Sequence, residues 1–231
     1  MPYIKIPHDI IKYKVIPLYP GIKRIDKQIS LENLALINKV SQAHGFKFLL
    51  GWGTLLGAVR DSDFIEHDED TDLLCFDSDE EILLGMIKDL LSEGFQIARW
   101  EPHRLLSITR RGEYTDFYIH HSYNEKLYIC AGLPLPKEYM DNVSTIDFLG
   151  HSFNVPRDLY GVLRFWYGDN WKTPIVYNNY DLNRFTILKM KIKDWIKYHL
   201  PSCILNPIQK KIENRIFVED YLKKGKLDGY I

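Results

Sequence analysis

Gly51-Trp52-Gly53-Thr54-Leu55-Leu56-Gly57-Ala58-Val59-Arg60 is followed closely by His67-Asp68-Glu69-Asp70-Thr71-Asp72-Leu73-Leu74, and the second block decides how the chain is read. It switches at once from an acidic run to Leu73, Leu74 and Phe76. That switch predicts a core strand over Thr71 to Phe76. Alternate side chains on a strand share a face, so Asp70 and Asp72 point the same way, and Asp68 joins them if the extended conformation begins early. Two carboxylates about 4 Å apart repel by roughly 4 kcal/mol at an effective dielectric constant of about 20. A bound divalent cation is the simplest reason to bring them together, and oxygen-only ligands favour Mg²⁺ or Mn²⁺ over zinc. A solvated acidic loop is the plainer reading, but it does not account for the core strand that follows.

The first block predicts a tight turn at Gly51 to Thr54, between a short buried strand over Phe46 to Leu50 and a short helix over Leu55 to Val59. Glycines in such a turn let backbone N–H groups approach a phosphate, and a helix N-terminus favours an anion. Gly53 and Thr54 are therefore candidate phosphate contacts, and Arg60 can meet a phosphate with two parallel hydrogen bonds. Alone, a G-x-G-T turn is more often an ordinary turn. An Asp-x-Asp strand close behind it makes the pair much more specific.

A further acid, Asp116, sits in Glu113-Tyr114-Thr115-Asp116-Phe117-Tyr118-Ile119 among strand-forming residues. Isolated charges avoid inner strands unless paired. Beside the Asp70 strand, Asp116 becomes a third metal ligand or a general base; a polar outward face would give the same pattern. His67 is a weaker candidate, and the pair His120-His121 weaker still, because surface histidines are common. Tyr167 and Trp171 are candidates for stacking on a base or sugar, with core packing at a helix end the equal alternative.

The 231 residues are 45% hydrophobic and 26% charged, which suits one packed domain with a helical appendix. The net charge of −1 hides an asymmetry: residues 61–101 hold fourteen acids against two bases, and residues 181–231 hold eleven bases against six acids. That balance excludes a nucleic-acid binder on charge grounds. The acidic middle repels phosphates unless cations sit in it. Three cysteines without C-x-x-C spacing fit a reducing compartment and argue against a disulfide framework or a structural zinc site. The first residues contain no apolar signal-peptide core, and no run approaches eighteen apolar residues. The expectation is a cytoplasmic protein.

The chain divides by expectation into an extended arm over residues 1–29, a catalytic core over 30–180 and a helical appendix over 181–231. Ser30 reads as the N-cap of a helix that Gly45 stops, and residues 61–69 as a polar loop. Ser78-x-x-Glu81 reads as a capping box for a helix through Leu91. Strands are expected at Phe95 to Trp100, Leu105 to Thr109, Tyr114 to His120 and Lys126 to Cys130. After Gly132 to Pro136 a loop is expected, then one strand near Ile146 to Phe153 and a helix from Asp158 to Tyr167. Helices are expected at 182–199 and about 207–224, separated by Pro201 and Pro207. The fold class is α+β, with a mixed sheet flanked by helices. In the basic tail, Lys189, Lys191, Lys193 and Lys197 lie among Ile187, Leu188, Ile192 and Trp195. A solvated helix face is the favoured reading, and contact with an anionic membrane at its inner face is the sharper one.

Gly53 to Arg60, then Asp63-Phe64-Ile65, then His67 to Leu73 together resemble the LicD family, which has a nucleotidyltransferase-like fold and includes phosphocholine and phosphosugar-alcohol transferases. His67 stands where tryptophan is usual and Glu69 replaces an aspartate, while Asp68, Asp70 and Asp72 are kept. Tyr114-Thr115-Asp116-Phe117 is similar to the family's later strand with a central aspartate. Pro156 to Pro174 is similar to its late pattern, with Tyr167, Gly168, Asp169 and Trp171 in step. The resemblance spans roughly residues 30–175. It implies a CDP-linked donor such as CDP-choline. A substituted phosphate would pass to a hydroxyl of a glycan or lipid-linked glycan, in capsule polysaccharide or lipopolysaccharide modification, with release of CMP. Cations held by Asp70, Asp72 and Asp116 would serve that chemistry, with Asp116 or Asp68 taking the hydroxyl proton. The rival readings are a nucleotidyltransferase that moves a nucleoside monophosphate and an inactive nucleotide-binding subunit. The intact acid set argues against the latter.

Overall fold

A computed structural model describes residues 1–17, 23–140, 142–175, 183–200 and 202–231. The arm contains more structure than expected. β1 (Tyr3–Ile6) and β2 (Asp9–Lys12) form an antiparallel hairpin that buries Ile4 and Ile6 in the main core. The next helix, α1 (Lys27–His44), starts before Ser30, because the Asp26 carboxylate accepts the Ile29 N–H at 3.0 Å while Ser30 is buried. It ends where expected, at Gly45 with φ 69°. β3 (Leu49–Leu50) is shorter than the sequence suggested. α2 (Trp52–Arg60) starts at Trp52, so the expected tight turn is the first turn of the helix, with Gly51 as N-cap.

β4 (Thr71–Phe76) falls where it was expected. A 3-10 turn, Asp77–Asp79, then leads into α3 (Glu80–Gly85) and α4 (Ile87–Ser92), which break at Met86 where one helix was expected. The capping box does not form: the Ser78 N–H donates to Asp77 Oδ1 at 2.9 Å, and the 3-10 turn replaces the predicted start. β5 (Gln96–Glu101), β6 (Leu105–Arg110), β7 (Glu113–Ser122) and β8 (Leu127–Cys130) match expectation within two residues at either end. β9 (Leu133–Pro136) lies just before the expected loop, in a stretch where no strand was read. A hairpin of β10 (Val143–Phe148) and β11 (His151–Pro156) replaces a single expected strand. α5 (Leu159–Tyr167) is capped as read, with Asp158 Oδ1 accepting the Gly161 N–H at 2.9 Å. α6 (Arg184–His199) and α7 (Ser202–Ile216) follow, then a π-helical turn, Phe217–Leu222. Pro207 lies inside α7 instead of before it. Pro201 and the expected boundary at residues 180 and 181 lie outside the described residues.

The main sheet runs in the order β3-β4-β7-β6-β5, with β8 added to β7 and β9 to β8. β4 and β7 are parallel and the other pairs antiparallel, so the sheet is mixed, as the α+β reading required. Its two faces differ because side chains alternate along each strand. On one face Leu73, Cys75, Phe117 and Ile119 are fully buried. There the Phe117 ring packs on Phe46 and Phe48 with centroids 6.1 and 6.5 Å away. The other face carries Asp72 and Asp116 side by side.

Candidate active site

One rung of the sheet gathers the polar residues. Asp72 of β4 is the register partner of Asp116 of β7, Asp116 of Ser107 of β6, and Ser107 of Arg99 of β5. Adjacent strands lie about 4.8 Å apart, so these side chains form a row across four strands. Arg99 Nη2 donates to Asp116 Oδ2 at 2.9 Å, and Arg99 Nε donates to Ser107 Oγ at 3.1 Å. Asp116 is 2% exposed, and its Oδ1 is buried with no hydrogen-bond partner. Sequence reasoning gave Asp116 a metal site as partner and missed Arg99, which supplies a protein charge from the next strand but one. The available signal was slight: one of only two bases between residues 61 and 101, sitting within an expected strand.

Asp72 is held from the other side by the start of α2. Its Oδ2 accepts the Gly53 N–H at 3.2 Å, its N–H donates to Thr54 Oγ1 at 2.9 Å, and its carbonyl accepts the Gly51 N–H at 3.0 Å. The residues read as a phosphate cradle thus staple α2 to β4 in this structure, and Thr54 is buried. The two glycines of α2 differ in what their missing side chains permit. A Cβ on Gly53 would lie 2.2 Å from Asp68 Oδ2, and one on Gly57 would lie 2.5 Å from the Asp63 carbonyl oxygen. The Asp68 carboxylate could turn aside from a Cβ on Gly53, but the Asp63 backbone could not move away from one on Gly57, so loop 61–69 lies against the helix because Gly57 has no side chain.

The carboxylates are packed against their electrostatic preference. Burial, then the charges of Asp70, Asp68 and Asp116, hold Asp72 well above the usual carboxylate range. Burial, then Asp116, Asp68 and Glu69, do the same to Asp70. Burial pushes Asp68 up to about 6, against the Glu69 N–H that donates to it at 3.3 Å. Burial also raises Asp116, opposed by Arg99 and by the neighbouring Ser107 hydroxyl. Tyr118, two residues along β7, is raised by burial and then by Asp72, Asp116 and Asp70.

This donor set fits a hard cation in its chemistry: carboxylate oxygens only, mutually repelling, one of them buried and unbonded. Among the described residues no three acidic, histidine or cysteine side chains close around a single point. Mg²⁺ does not require such a cage, because it is usually bound by one or two carboxylates together with waters and substrate phosphates.

Beside the acids lies a cavity of about 530 Å³, lined among others by Gly53, Arg60, His67, Asp68, Tyr167 and Trp171. Arg60 stands in its wall with Nε and Nη2 donating to Asp61 at 2.9 and 2.7 Å, two of its five N–H donors. Burial, then Asp72 and Asp68, raise the Tyr167 phenol. Trp171 is 7% exposed and packs on Tyr160 with centroids 5.9 Å apart, which is the core-packing alternative. Two aromatics that sequence reasoning passed over, Trp52 and Trp166, stack with centroids 4.1 Å apart and planes 25° from parallel. Trp52 holds φ 38°, a left-handed value costly for a bulky side chain, at the first helical residue of α2. His120 is no surface residue: it is fully buried, its pKa lowered by burial to about 4, with Nδ1 3.1 Å from the Tyr118 carbonyl oxygen. His121 is exposed, and His67 lines the cavity.

A mixed sheet with aspartates paired across two parallel strands, next to the N-terminus of a short helix, is the architecture of a nucleotidyltransferase-like fold. Residues 45–158 match the family model described as "LicD/FKTN/FKRP, nucleotidyltransferase domain", in agreement with the LicD resemblance of the sequence. No curated protein matches the sequence. Among solved structures, the crystal structure of ANT(2")-Ia in complex with adenylyl-2"-tobramycin is 12% identical with a TM-score of 0.44, covering 81% of this chain and 98% of that one. A solution structure of the antibiotic-resistance factor ANT(2")-Ia is 12% identical with a TM-score of 0.46, covering 89% of this chain and 100% of that one.

Proposed function

We propose that the protein moves a substituted phosphate, phosphocholine or a similar group, from a CDP-activated donor to a glycan hydroxyl, releasing CMP. The observation that carries this reading is the buried Asp72–Asp116 register pair in the stretch that matches the LicD family model, opening beside a cavity that Arg60 and Asp68 line. In the reaction the hydroxyl oxygen attacks phosphorus, the bond to the CMP oxygen breaks with its electron pair, and the hydroxyl proton leaves to a carboxylate. Such in-line transfer needs positioning and charge neutralisation more than covalent help. Asp70, Asp72 and Asp116 would hold Mg²⁺ or Mn²⁺, which when bound would neutralise charge on the phosphoryl oxygens. Of the two candidate bases, Asp68 faces the cavity whereas Asp116 is occupied by Arg99, so Asp68 is the better placed proton acceptor. Arg60 would turn from Asp61 to the donor diphosphate. Gly53 and Thr54 would keep Asp72 in place, and Trp171 would form the cavity wall. The catalytic core would be residues 30–180, between the arm of residues 1–29 and the helical residues 181–231.

The test is a panel of CDP-linked donors incubated with the protein and Mg²⁺, followed by CMP release with and without glycan acceptors. CMP appearing with one donor and rising with acceptor supports the proposal. Pyrophosphate released from a nucleoside triphosphate, with no CMP from any CDP donor, would establish transfer of a nucleoside monophosphate instead. No turnover with either donor class and either metal would leave a binding subunit.

A further inference from the structure

Helix α6 wears its apolar side chains on the outside. Phe185, Leu188, Ile192, Trp195 and Ile196 are 64%, 52%, 51%, 62% and 43% exposed, while Thr186, Ile187 and Met190 are partly buried. At about 100° per residue the five exposed side chains fall within one arc of roughly 100°. Exposed bases border that arc on both sides, Arg184 and Lys191 on one and Lys189 and Lys193 on the other. The Lys189 ammonium lies 4.5 Å from the centroid of the Phe185 ring, so base and stripe touch. The three partly buried residues lie on the opposite side of the helix. α7 repeats the chemistry, with Ile204, Ile208 and Ile212 at four-residue spacing 49%, 48% and 39% exposed and with Lys211 and Arg215 exposed on the same side.

A contiguous exposed apolar stripe marks a contact surface. Its charged borders decide what kind. Pairing of the stripe with a second copy of itself would set Lys189, Lys191 and Lys193 against like charges. An anionic bilayer satisfies both parts: rings and aliphatic side chains enter the acyl boundary, and lysine stems reach back to the headgroups. The contact would be peripheral, since among the described residues no helix is long and apolar enough to cross a membrane. We infer that α6, with α7 adding to it, docks the protein on an anionic membrane surface. This holds whether or not the transfer reading does, because none of these residues belongs to the acid rung or the cavity.

The test is co-sedimentation of the full chain with phosphatidylcholine vesicles that contain or lack phosphatidylglycerol. Binding is expected to the anionic vesicles, at least tenfold weaker binding to phosphatidylcholine alone, and loss with added salt. Each base near such a surface contributes roughly fivefold in partitioning, so K189Q/K191Q/K193Q should bind about a hundredfold more weakly. L188D/I192D should also lose binding. Circular dichroism and melting curves that match the parent show that both variants fold, and unchanged CMP release separates docking from transfer. Equal binding to both vesicle types, or full binding by the lysine variant, overturns the proposal. So does a concentration-dependent dimer that L188D/I192D dissolves, because the stripe would then be covered by a second copy.

Discussion

At the Asp72–Asp116 rung, charge lies where apolar side chains belong; on α6, apolar side chains lie where charge belongs. The two regions invert the usual partition in opposite senses, and each inversion has its own physical signature. Around the rung, burial and repulsion among the acids raise the carboxylates, and Arg99 offsets part of that for Asp116, which it bonds, and for Asp70. On α6 the exposed apolar arc has bases on both borders, which keep it compatible with water and select an anionic surface. A site proposed to bind cations and phosphates stores electrostatic strain inside the fold. A surface that meets lipid keeps its cost outside, where it leaves the core untouched. Substitution should therefore trade stability against function in the rung, and should change only association on α6.

The largest effect expected is on turnover. Asp72→Asn should lower transfer by roughly 10³-fold, the scale of several kcal/mol of lost transition-state charge stabilisation, with an unchanged circular dichroism spectrum. Turnover near the parent value would show that the rung is only structural.

Next is Arg99. Removing one partner of a buried ion pair leaves the other charge uncompensated, at about 3–5 kcal/mol for a fully buried pair. Arg99 is a third exposed, so Arg99→Gln should cost roughly 2–3 kcal/mol in urea unfolding. Adding Asp116→Asn should recover part of that loss. Two independent, additive losses would mean that the 2.9 Å contact carries little energy.

Arg60→Ala should raise the donor KM about tenfold, because a charge-assisted contact to the diphosphate is lost. Its exposed partner Asp61 contributes under about 1 kcal/mol, so the melting temperature should barely move. A large fall in melting temperature with unchanged KM would make Arg60 a scaffold residue.

The smallest effect is a gain. Asp70 has a folded-state pKa above its unfolded value, so the folded state holds the proton more tightly. Its contribution is present below the unfolded carboxylate value and is lost as pH rises through the raised folded value. Without metal, Asp70→Asn should melt above the parent near pH 7.5, by about 2–4 °C for each kcal/mol of repulsion removed. The gap should shrink near pH 5 and also when Mg²⁺ is added to the parent. A variant that melts below the parent at pH 7.5 without Mg²⁺ would mean that Asp70 is stabilised by its surroundings.

Sequence patterning carried the centre of the fold better than its edges. β4 was legible because a charged run meets three core residues without a turn between them. The neighbourhood of Asp116 was legible only as a need for a partner; the partner itself, Arg99, depends on register across β6, which no local pattern encodes. The β10–β11 hairpin was hidden inside one apparent strand, although Leu149 and Gly150, both at positive φ, make the two-residue turn that such a hairpin uses. β9 was not read as a strand; it carries Pro134 and Pro136, which are tolerable there because among the described residues β9 pairs on one side only. The start of α1 was misplaced because Ser30 has cap chemistry, yet Asp26 three residues after Lys23 competes better by being exposed at the turn. The glycines of α2 looked like phosphate-binding turn residues, and their tight approach to Asp68 and the Asp63 carbonyl is visible only with the loop in place.

The Trp52–Trp166 stack joins α2, which braces Asp72, to α5, which carries Tyr167 into the cavity wall. Two indoles 4.1 Å apart couple their excited states, so the pair is an optical ruler set across the seam between the acid rung and the cavity. Its near-ultraviolet dichroism would follow any shift of one helix against the other as a donor enters, in the unlabelled protein and in real time.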